Sequence, residues 1–322
     1  GKDGDRVRVQ QGSADVRVPK GQLALRQGSE LRIGPSPEVL AGDLLVVPSG
    51  SLAVQSAGSE AVVRGAARVT RDFAVTVASY AGEADVRSAG SSLKVPALRQ
   101  ATVAALGELP RAAAPLQYRN DDQWDRRFLA DAIDLGVELQ SRSDGASAQF
   151  RNQGRTAGFY RLLFPQLEGQ PFSEALLDPA RPPGEHVVGA AVSLAGKDGD
   201  FAARWQKVFA FRGQGATWGL VAMDQAVARV PNLVAGIDEA LGRARLPGQG
   251  VPVAAAAPTT TTTTTPPPTR TTTTTSTTRT TPPPTTPTTQ PPLLPNPPDT
   301  GLPIDPLADD AVDLLNGLLP GG

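Results

Sequence analysis

The sequence predicts an α+β fold with more than one domain, followed by a segment that does not fold. Polar and apolar residues alternate in short stretches over the first hundred residues, whereas apolar residues recur at helical spacing further on. Thr or Pro then fills 34 of the 41 positions from 258 to 298. We therefore expect an all-β sandwich or roll over 1–108, a mainly α-helical module over 116–246, a disordered Thr/Pro-rich stalk over 247–300, and an acidic tail over 301–322 in which a short helix could form.

The first region reads as a series of short strands. In Arg6–Val9 and Asp15–Val18 every second residue is apolar, which places Val or Leu on one face of a strand and polar side chains on the other. Such stretches recur about every eight to ten residues, and Gly, Ser, Asp and Pro separate them. The predicted strands lie at 6–9, 15–18, 23–25, 31–33, 44–47, 51–55, 60–64, 67–70, 73–78, 83–87, 92–95 and 101–106.

Two six-residue fragments of this region echo each other. They are Gly-Ser-Ala-Asp-Val-Arg at 12–17 and Gly-Glu-Ala-Asp-Val-Arg at 82–87. A turn that feeds a strand in two symmetric places would produce this likeness, and so would chance similarity between two alternating strands.

Three neighbouring stretches carry a more specific pattern. A strand-like run from Leu52 leads into Val63-Arg64-Gly65, and the runs 73–77 and 80–86 follow. This order resembles the second half of a FecR-type domain, and the resemblance extends over roughly residues 5–106.

In that family a Val-Arg-Gly-Thr segment forms a turn between strands, and Val63, Arg64 and Gly65 match its first three residues. The sequence departs from the family at Ala66, where Thr is usual, and at Arg99-Gln100, where Gly-Gln is usual.

The resemblance implies a FecR-like β domain outside the cytoplasmic membrane that is not an enzyme, needs no cofactor and relays a signal. Its expected partners are unknown envelope proteins, and the membrane would be reached only through an anchor upstream of Gly1.

The second region begins with a strong helix signal. Asn120 to Asp122 supply N-cap candidates. The apolar stripe that follows comprises Trp124, Phe128, Leu135 and Leu139. This predicts a helix near 121–142. Further helices are predicted near 155–168, 201–212, 218–228 and 233–243, whereas the apolar run 187–194 fits a buried helix or a strand equally well.

Composition excludes several classes of protein. The chain has no cysteine, which rules out disulfides, thiolate nucleophiles and Cys-ligated zinc. Its formal net charge is −1, so it lacks the basic field that a nucleic-acid partner requires. The Thr/Pro tract cannot bury enough surface to fold, and its Thr residues could carry O-linked sugar. Such a tract is typical of an extracytoplasmic stalk.

No residue pattern points clearly to catalysis. The single histidine, His186, is expected in a loop or a cap, since no nucleophile motif accompanies it. Gly-Lys-Asp-Gly-Asp occurs at 1–5 and 196–200, and both copies fit a polar turn better than a calcium loop. The pair Asp121 and Asp122 falls at a helix start, where capping accounts for it.

Aromatic residues leave two interpretations open. Trp124 and Trp218 are candidates for a partner surface, and together with Trp205, Tyr118 and Tyr160 they could stack on sugar rings. Aromatics at helical spacing are more often core residues.

We expect a non-enzymatic envelope sensor or scaffold that acts by protein–protein contact. The alternative is a module that binds cell-wall polymer or glycan on a Thr/Pro spacer, and a third, weaker alternative is an envelope hydrolase. Exposed aromatics would favour glycan, a groove with facing carboxylates would favour hydrolysis, and an exposed apolar patch at the junction of strands and helices would favour a protein partner.

Overall fold

The computed structural model describes residues 2–104, 106–153 and 156–244, which fall within one compact unit. The Thr/Pro stalk and the acidic tail predicted from the sequence lie outside these residues. The described part contains a mixed sheet of eleven strands followed by six α-helices.

The strands are β1 (Arg6–Arg8), β2 (Ser13–Val18), β3 (Gly21–Arg26), β4 (Glu30–Arg32), β5 (Glu38–Pro48), β6 (Leu52–Ser56), β7 (Ser59–Arg71), β8 (Val75–Ser88), β9 (Ser91–Pro96), β10 (Arg99–Val103) and β11 (Ala114–Pro115). Each predicted strand lies on an observed one. The predicted strands 60–64 and 67–70 are one continuous strand, β7, and 73–78 and 83–87 are likewise both part of β8.

Three long strands bend and take part in both halves of the sheet. The start of β5 pairs with β4, and its end pairs with β3 and β7. Similarly, β7 pairs first with β6 and then with β5, while β8 pairs along its length with β7 and at its two ends with β10 and β9. All these pairings are antiparallel. The bends therefore fold one sheet over on itself.

Gly65 in β7 and Gly82 in β8 form the bend where these strands cross between the two halves. They are directly paired, with φ of +123° and +69°. A Cβ at Gly65 would lie 2.1 Å from the Ala81 carbonyl oxygen, and one at Gly82 would lie 1.9 Å from the Arg64 carbonyl oxygen. Only glycine fits either position.

This geometry corrects the expected turn at Val63, Arg64 and Gly65. The three residues lie inside β7, with Val63 buried and Arg64 exposed, and the register shifts between Ala66 and Ala67. The segment is a bend with a β-bulge, because the chain changes layers there without leaving the ladder.

The folded sheet encloses a core of aliphatic side chains. Alternate residues of both halves point into it, as the period of a strand requires. Its larger members are Leu23, Leu25, Leu31, Val39, Leu44, Val46, Leu52, Val54, Val63, Val69, Val77, Val86 and Val95. We call this cluster the aliphatic core.

The helices are α1 (Gln123–Gln149), α2 (Ala157–Leu163), α3 (Pro183–Ala195), α4 (Phe201–Gly213), α5 (Trp218–Asp224) and α6 (Leu233–Arg243), with short 3-10 turns at Pro165–Leu167 and Glu174–Leu176. The run 187–194, which the sequence left open, is helical. The predicted helix 121–142 continues to Gln149, and the predicted helix 155–168 ends at Leu163 before its 3-10 turn. Within the described ranges, no helix is long and apolar enough to cross a bilayer.

The helices pack against the outer face of one half of the sheet. Leu45, Ala78, Tyr80 and Leu98 from the strands belong to the same buried cluster as the helix side chains, among them Leu129, Phe159, Trp205 and Trp218. We call this cluster the helical core. It joins the two regions that the sequence divides into separate modules, so the structure has three layers in the order sheet, sheet and helices.

Candidate functional site

The junction between the sheet and the helices contains a network of paired charges. Arg26 on β3 donates two hydrogen bonds to the carboxylate of Asp122, at 2.5 Å to Oδ2 and 2.6 Å to Oδ1. Its guanidinium also lies 3.6 Å from the centroid of the Trp124 ring, within cation–π range. Arg26 thus fastens the first turn of α1 to the sheet.

Asp122 also caps α1. Its Oδ1 accepts hydrogen bonds from the backbone N–H groups of Trp124 at 2.9 Å and Asp125 at 3.0 Å. Burial alone would raise the pKa of Asp122, but the hydrogen bonds from Arg26 and from the Asp125 N–H, with the positive charge of Arg26, hold it below its usual value. The capping interpretation of this residue is therefore confirmed, and its carboxylate is ionised at neutral pH.

Asp125 lies at the centre of the junction and is completely buried. It accepts hydrogen bonds from the Tyr80 hydroxyl at 2.6 Å, from Arg68 Nη1 at 3.1 Å and from the Arg119 backbone N–H at 2.8 Å. Burial raises the pKa of Tyr80, the Arg68 charge opposes that shift, and the hydrogen bond to Asp125 adds to it. Tyr80 therefore stays protonated and acts as a donor.

A third charge pair links the far side of the junction. Arg99 on β10 donates to Asp224 at the end of α5 at 3.0 Å, and its guanidinium lies 4.0 Å from the centroid of the Phe211 ring. All three arginines come from the sheet and all three aspartates from the helical region. The junction carries out no evident chemistry, since each carboxylate is already neutralised by a paired cation.

A cleft with a volume of about 280 Å³ lies beside His186. It is lined by Arg151, Glu174, Leu177, Asp178, Pro179, Arg181, Pro183 and His186. The expected loop position of His186 is wrong, because the residue lies in the first turn of α3 and only 3% of it is exposed.

His186 is surrounded by aromatic rings. Its Nδ1 lies 3.3 Å from the Tyr160 hydroxyl, and its ring stacks near Trp205 with 6.1 Å between centroids. Burial lowers the pKa of His186 to about 4, and the Arg181 charge contributes in the same direction. The imidazole is therefore neutral at pH 7. Its Nε2 has no hydrogen-bond partner within the part of the chain that the structure describes.

The arginine next to this histidine is paired with carboxylates. Arg181 is paired with Glu185 at 3.0 Å and with Asp178 at 3.4 Å, so the charges at its rim largely neutralise each other. No cluster of three metal-ligating side chains occurs among the described residues. We interpret His186 as a component of the helical core that borders the cleft.

The exposed apolar side chains lie elsewhere. Phe73, at the tip of the β7–β8 hairpin, is 97% exposed, and Leu106, in the loop after β10, is 85% exposed. Val75 pairs with both Arg71 and Val103, so both loops leave the sheet at the same end. We call Phe73 and Leu106 the apolar tip. It is not at the junction, where an apolar patch was expected to mark a partner.

The two tryptophans predicted for a partner surface have different positions. Trp218 has no exposed surface, so its assignment to a partner surface is wrong; it is part of the helical core. Trp124 is half-buried beneath Arg26, which covers one face of its ring. The aromatic side chains thus mostly stabilise the fold.

The described residues of both Gly-Lys-Asp-Gly-Asp copies lie between regular elements, with a turn within 2–5 and a bend within 196–200. In the first, Asp5 accepts a hydrogen bond from the Lys2 backbone N–H at 2.6 Å. In the second, Asp200 caps α4 by accepting the Ala203 N–H at 2.7 Å. Local hydrogen bonds therefore account for these aspartates, in agreement with the polar-turn interpretation.

Comparison with known proteins yields little. No protein-family model and no curated protein matches the sequence. Two crystal structures of a proposed anti-sigma factor from Parabacteroides distasonis ATCC 8503, at 1.65 Å and 2.50 Å resolution, are similar to part of the chain. Each shares 18% identity with a TM-score of 0.30, over 33% of this chain and 58% of that chain. The chain thus spans little more than half the length of those structures, and a likeness of this size adds nothing to the argument.

Proposed function

We propose that the chain is a non-enzymatic sensor or scaffold that acts outside the cytoplasmic membrane by contact with an envelope protein, in the manner of a FecR-type signal relay. The observation that carries this proposal is the apolar tip. A phenylalanine that is 97% exposed gains free energy only when a second molecule covers it. The extracytoplasmic location rests on the Thr/Pro tract and on the sequence resemblance.

The tip is also placed to transmit a contact into the fold. Phe73 lies in the turn between β7 and β8, which are the two longest of the described strands. Both strands run through the two halves of the sheet. Arg68, three residues before the end of β7, is hydrogen-bonded to Asp125 of α1. A partner bound at Phe73 would therefore act on a strand that reaches the helical layer.

The alternatives have less support. Glycan binding needs a row of exposed aromatic faces, but Trp205, Trp218 and Tyr160 are buried and Phe73 is a single exposed ring. Hydrolysis needs two carboxyl groups that face a substrate, but the two that line the cleft already have partners: Asp178 pairs with Arg181, and Glu174 accepts a hydrogen bond from the Ala157 N–H. Protein contact is therefore the function that this geometry favours.

Site-specific crosslinking tests the proposal. A photoreactive phenylalanine analogue at position 73 of the full chain should capture one discrete envelope protein, because the tip would be covered in the complex. In the chain that carries the photoreactive residue at 73, Leu106→Ser should weaken capture of that protein by about tenfold or more, since burying one such side chain contributes about 1.5–3 kcal/mol. In the chain without the photoreactive residue, replacing Phe73 and Leu106 together by Ser should weaken its binding to that protein at least as much.

The matched control is Val137 on α1, which is 63% exposed and lies away from the tip. Val137→Ser should leave capture unchanged, and the photoreactive residue at 137 should not label the same protein. Equal labelling from both positions, or retention on purified wall polymer that is unaffected by the Ser variants, would contradict the proposal.

A further inference from the structure

The two echoing fragments belong to two hairpins with the same register. β2 pairs with β3 from Ser13 opposite Arg26 to Val18 opposite Gly21. The hairpin of β8 and β9 runs in the same way, from Glu83 opposite Pro96 to Ser88 opposite Ser91. Every residue of the second hairpin is numbered 70 above its counterpart in the first. The likeness in sequence therefore reflects equivalent positions in the structure.

The glycine that begins each fragment supports this equivalence. Gly12 and Gly82 both have positive φ, at +74° and +69°. A glycine with positive φ thus precedes the paired segment of both hairpins, and glycine adopts such a φ without strain.

The two hairpins differ at the edge of their first strand that faces away from the second strand. The segment 83–88 pairs with β9 on one side and with β7 on the other. In the pairing with β7, Glu83 lies opposite Arg64 and Arg87 lies opposite Glu60. The equivalent segment β2 pairs only with β3 among the described residues. β2 is therefore an open edge of the sheet, with backbone N–H and C=O groups available to a further strand.

The neighbouring strand neutralises the charges of the second copy. Arg64 Nη1 contacts Asp85 Oδ2 at 2.5 Å, and Arg87 Nη1 contacts Glu60 Oε1 at 3.2 Å. The equivalent residues on β2 are Asp15 and Arg17, and both are exposed. Neither side chain forms a hydrogen bond or an ion pair with any residue that the structure describes.

The sequence of β2 is complementary to itself. When two copies of β2 lie antiparallel with a two-fold axis at Val16, Asp15 of each copy lies opposite Arg17 of the other. Ala14 then lies opposite Val18, and Val16 lies opposite its own equivalent. Residues directly opposite in an antiparallel pair have their side chains on the same face, so both charge pairs form on the exposed face.

We propose that β2 pairs edge to edge with β2 of a second copy of this chain, forming a symmetric dimer with a sheet that is continuous across both copies. The pairing supplies the cations and carboxylates that Asp15 and Arg17 lack, as β7 supplies them to Asp85 and Arg87. It also covers the half-buried Ala14, Val16 and Val18, which border the aliphatic core. This interface uses no residue of the apolar tip.

The arrangement of charge favours a second copy over an unrelated strand. Edges that are protected against pairing usually carry like charges, which repel an identical strand. Here the two charges are opposite and flank the apolar Val16, so an identical antiparallel strand meets attraction on both sides of the axis. A closed two-fold contact of this kind also uses up both edges and stops at two copies.

Charge exchange tests the dimer. Sedimentation velocity of the full chain from about 1 to about 100 µM, the range in which modest interfaces dissociate, should show a monomer–dimer equilibrium. Asp15→Arg places two arginines opposite each other on both sides of the axis, and Arg17→Asp does the same with aspartates. Each variant should weaken dimerisation by about tenfold or more, and the double variant Asp15→Arg with Arg17→Asp should restore it.

Asp198→Arg is the matched control, because Asp198 is exposed in a distant turn and the charge change is the same. Hydrogen exchange gives an independent readout, since the amides of β2 should become protected as concentration rises while those of β9 do not change. A chain that stays monomeric at about 100 µM overturns the proposal. So does a dimer that persists in both single variants, or one that the double variant fails to restore.

Discussion

The two buried cores of this molecule are built from different side chains. The aliphatic core consists of Val, Leu and Ala from the strands, and the polar residues buried near it are serines. The helical core contains most of the buried aromatic rings and also buries Asp125 and His186. The first core depends on shape and backbone geometry, and the second depends in addition on the charge state of a few groups.

Two spectroscopic signals can follow the two cores separately in the same sample. All three tryptophans, Trp124, Trp205 and Trp218, lie in the helical region, so their fluorescence reports on the helical core alone. Circular dichroism in the far ultraviolet reports on both regions. A change that loosens only one core should therefore separate the two signals.

The largest effect is expected from Asp125→Ala. The substitution leaves Arg68 and the Tyr80 hydroxyl buried without their acceptor, and breaking a buried charge pair in this way destabilises a protein by about 3–5 kcal/mol. Urea denaturation followed by tryptophan fluorescence would measure the loss.

Asp121→Ala is the control for Asp125→Ala. Asp121 is the neighbouring carboxylate and also pairs with an arginine, Arg119, but both side chains are about three-quarters exposed. Exposed pairs of this kind contribute little to stability, because water and salt screen their charges. If the two substitutions had equal effects, the buried network would not be what fastens the helices to the sheet.

The second prediction concerns the aliphatic core. In Gly82→Ala the new Cβ would lie 1.9 Å from the Arg64 carbonyl oxygen, so β7 and β8 would have to separate at the bend. We expect a loss of about 3 kcal/mol or more in the free energy of unfolding, with the far-ultraviolet signal changing before tryptophan fluorescence.

Gly12 provides a close control for Gly82. It occupies the equivalent place in the first hairpin with φ of +74°, but nothing lies within 4 Å of its Cβ position. Gly12→Ala should cost only the strain of a left-handed residue, about 1–2 kcal/mol. A similar loss from both variants would show that strain, and not the close approach of the strands, requires glycine at position 82.

The bend also shows where sequence reasoning succeeded and where it failed. Alternation located ten of the eleven strands, because the period of two is a direct consequence of strand geometry. It missed β11, which is only two residues long and therefore shows no alternation. It divided β7 at Gly65 and Ala66, since a glycine between two apolar runs has the pattern of a turn. Only the pairing of Gly65 with Gly82, which are 17 residues apart, distinguishes a bend within a ladder from a turn.

The junction was missed for a related reason. Arg26 and Arg68 occupy strand positions that alternation assigns to solvent, and their partners lie 96 and 57 residues away. The spacing of Trp218 was compatible with a surface or with a core, and its complete burial follows from how α5 packs against α1, where Gly219 lies close to Ala132. Long-range packing of this kind leaves no local signal in a single sequence.

The smallest predicted effect is a dependence of stability on pH that arises in the helical core alone. His186 has a folded pKa of about 4 against an ordinary value of 6.5, so below pH 6.5 the unfolded chain takes up a proton that the folded chain does not. Stability should therefore fall as pH decreases from 6.5 towards 4, by about 2 kcal/mol at pH 5. The groups that act on the imidazole are Arg181, which lowers its pKa, and Asp178 and Glu185, which raise it.

Urea denaturation between pH 7 and pH 5, followed by tryptophan fluorescence, would measure how stability depends on pH. His186→Gln should remove this dependence because glutamine does not titrate. An unchanged pH dependence in that variant would contradict the assignment to His186. Asp122 would not account for such a dependence, because a carboxyl group whose pKa is lowered by folding loses its stabilising contribution only below about pH 4.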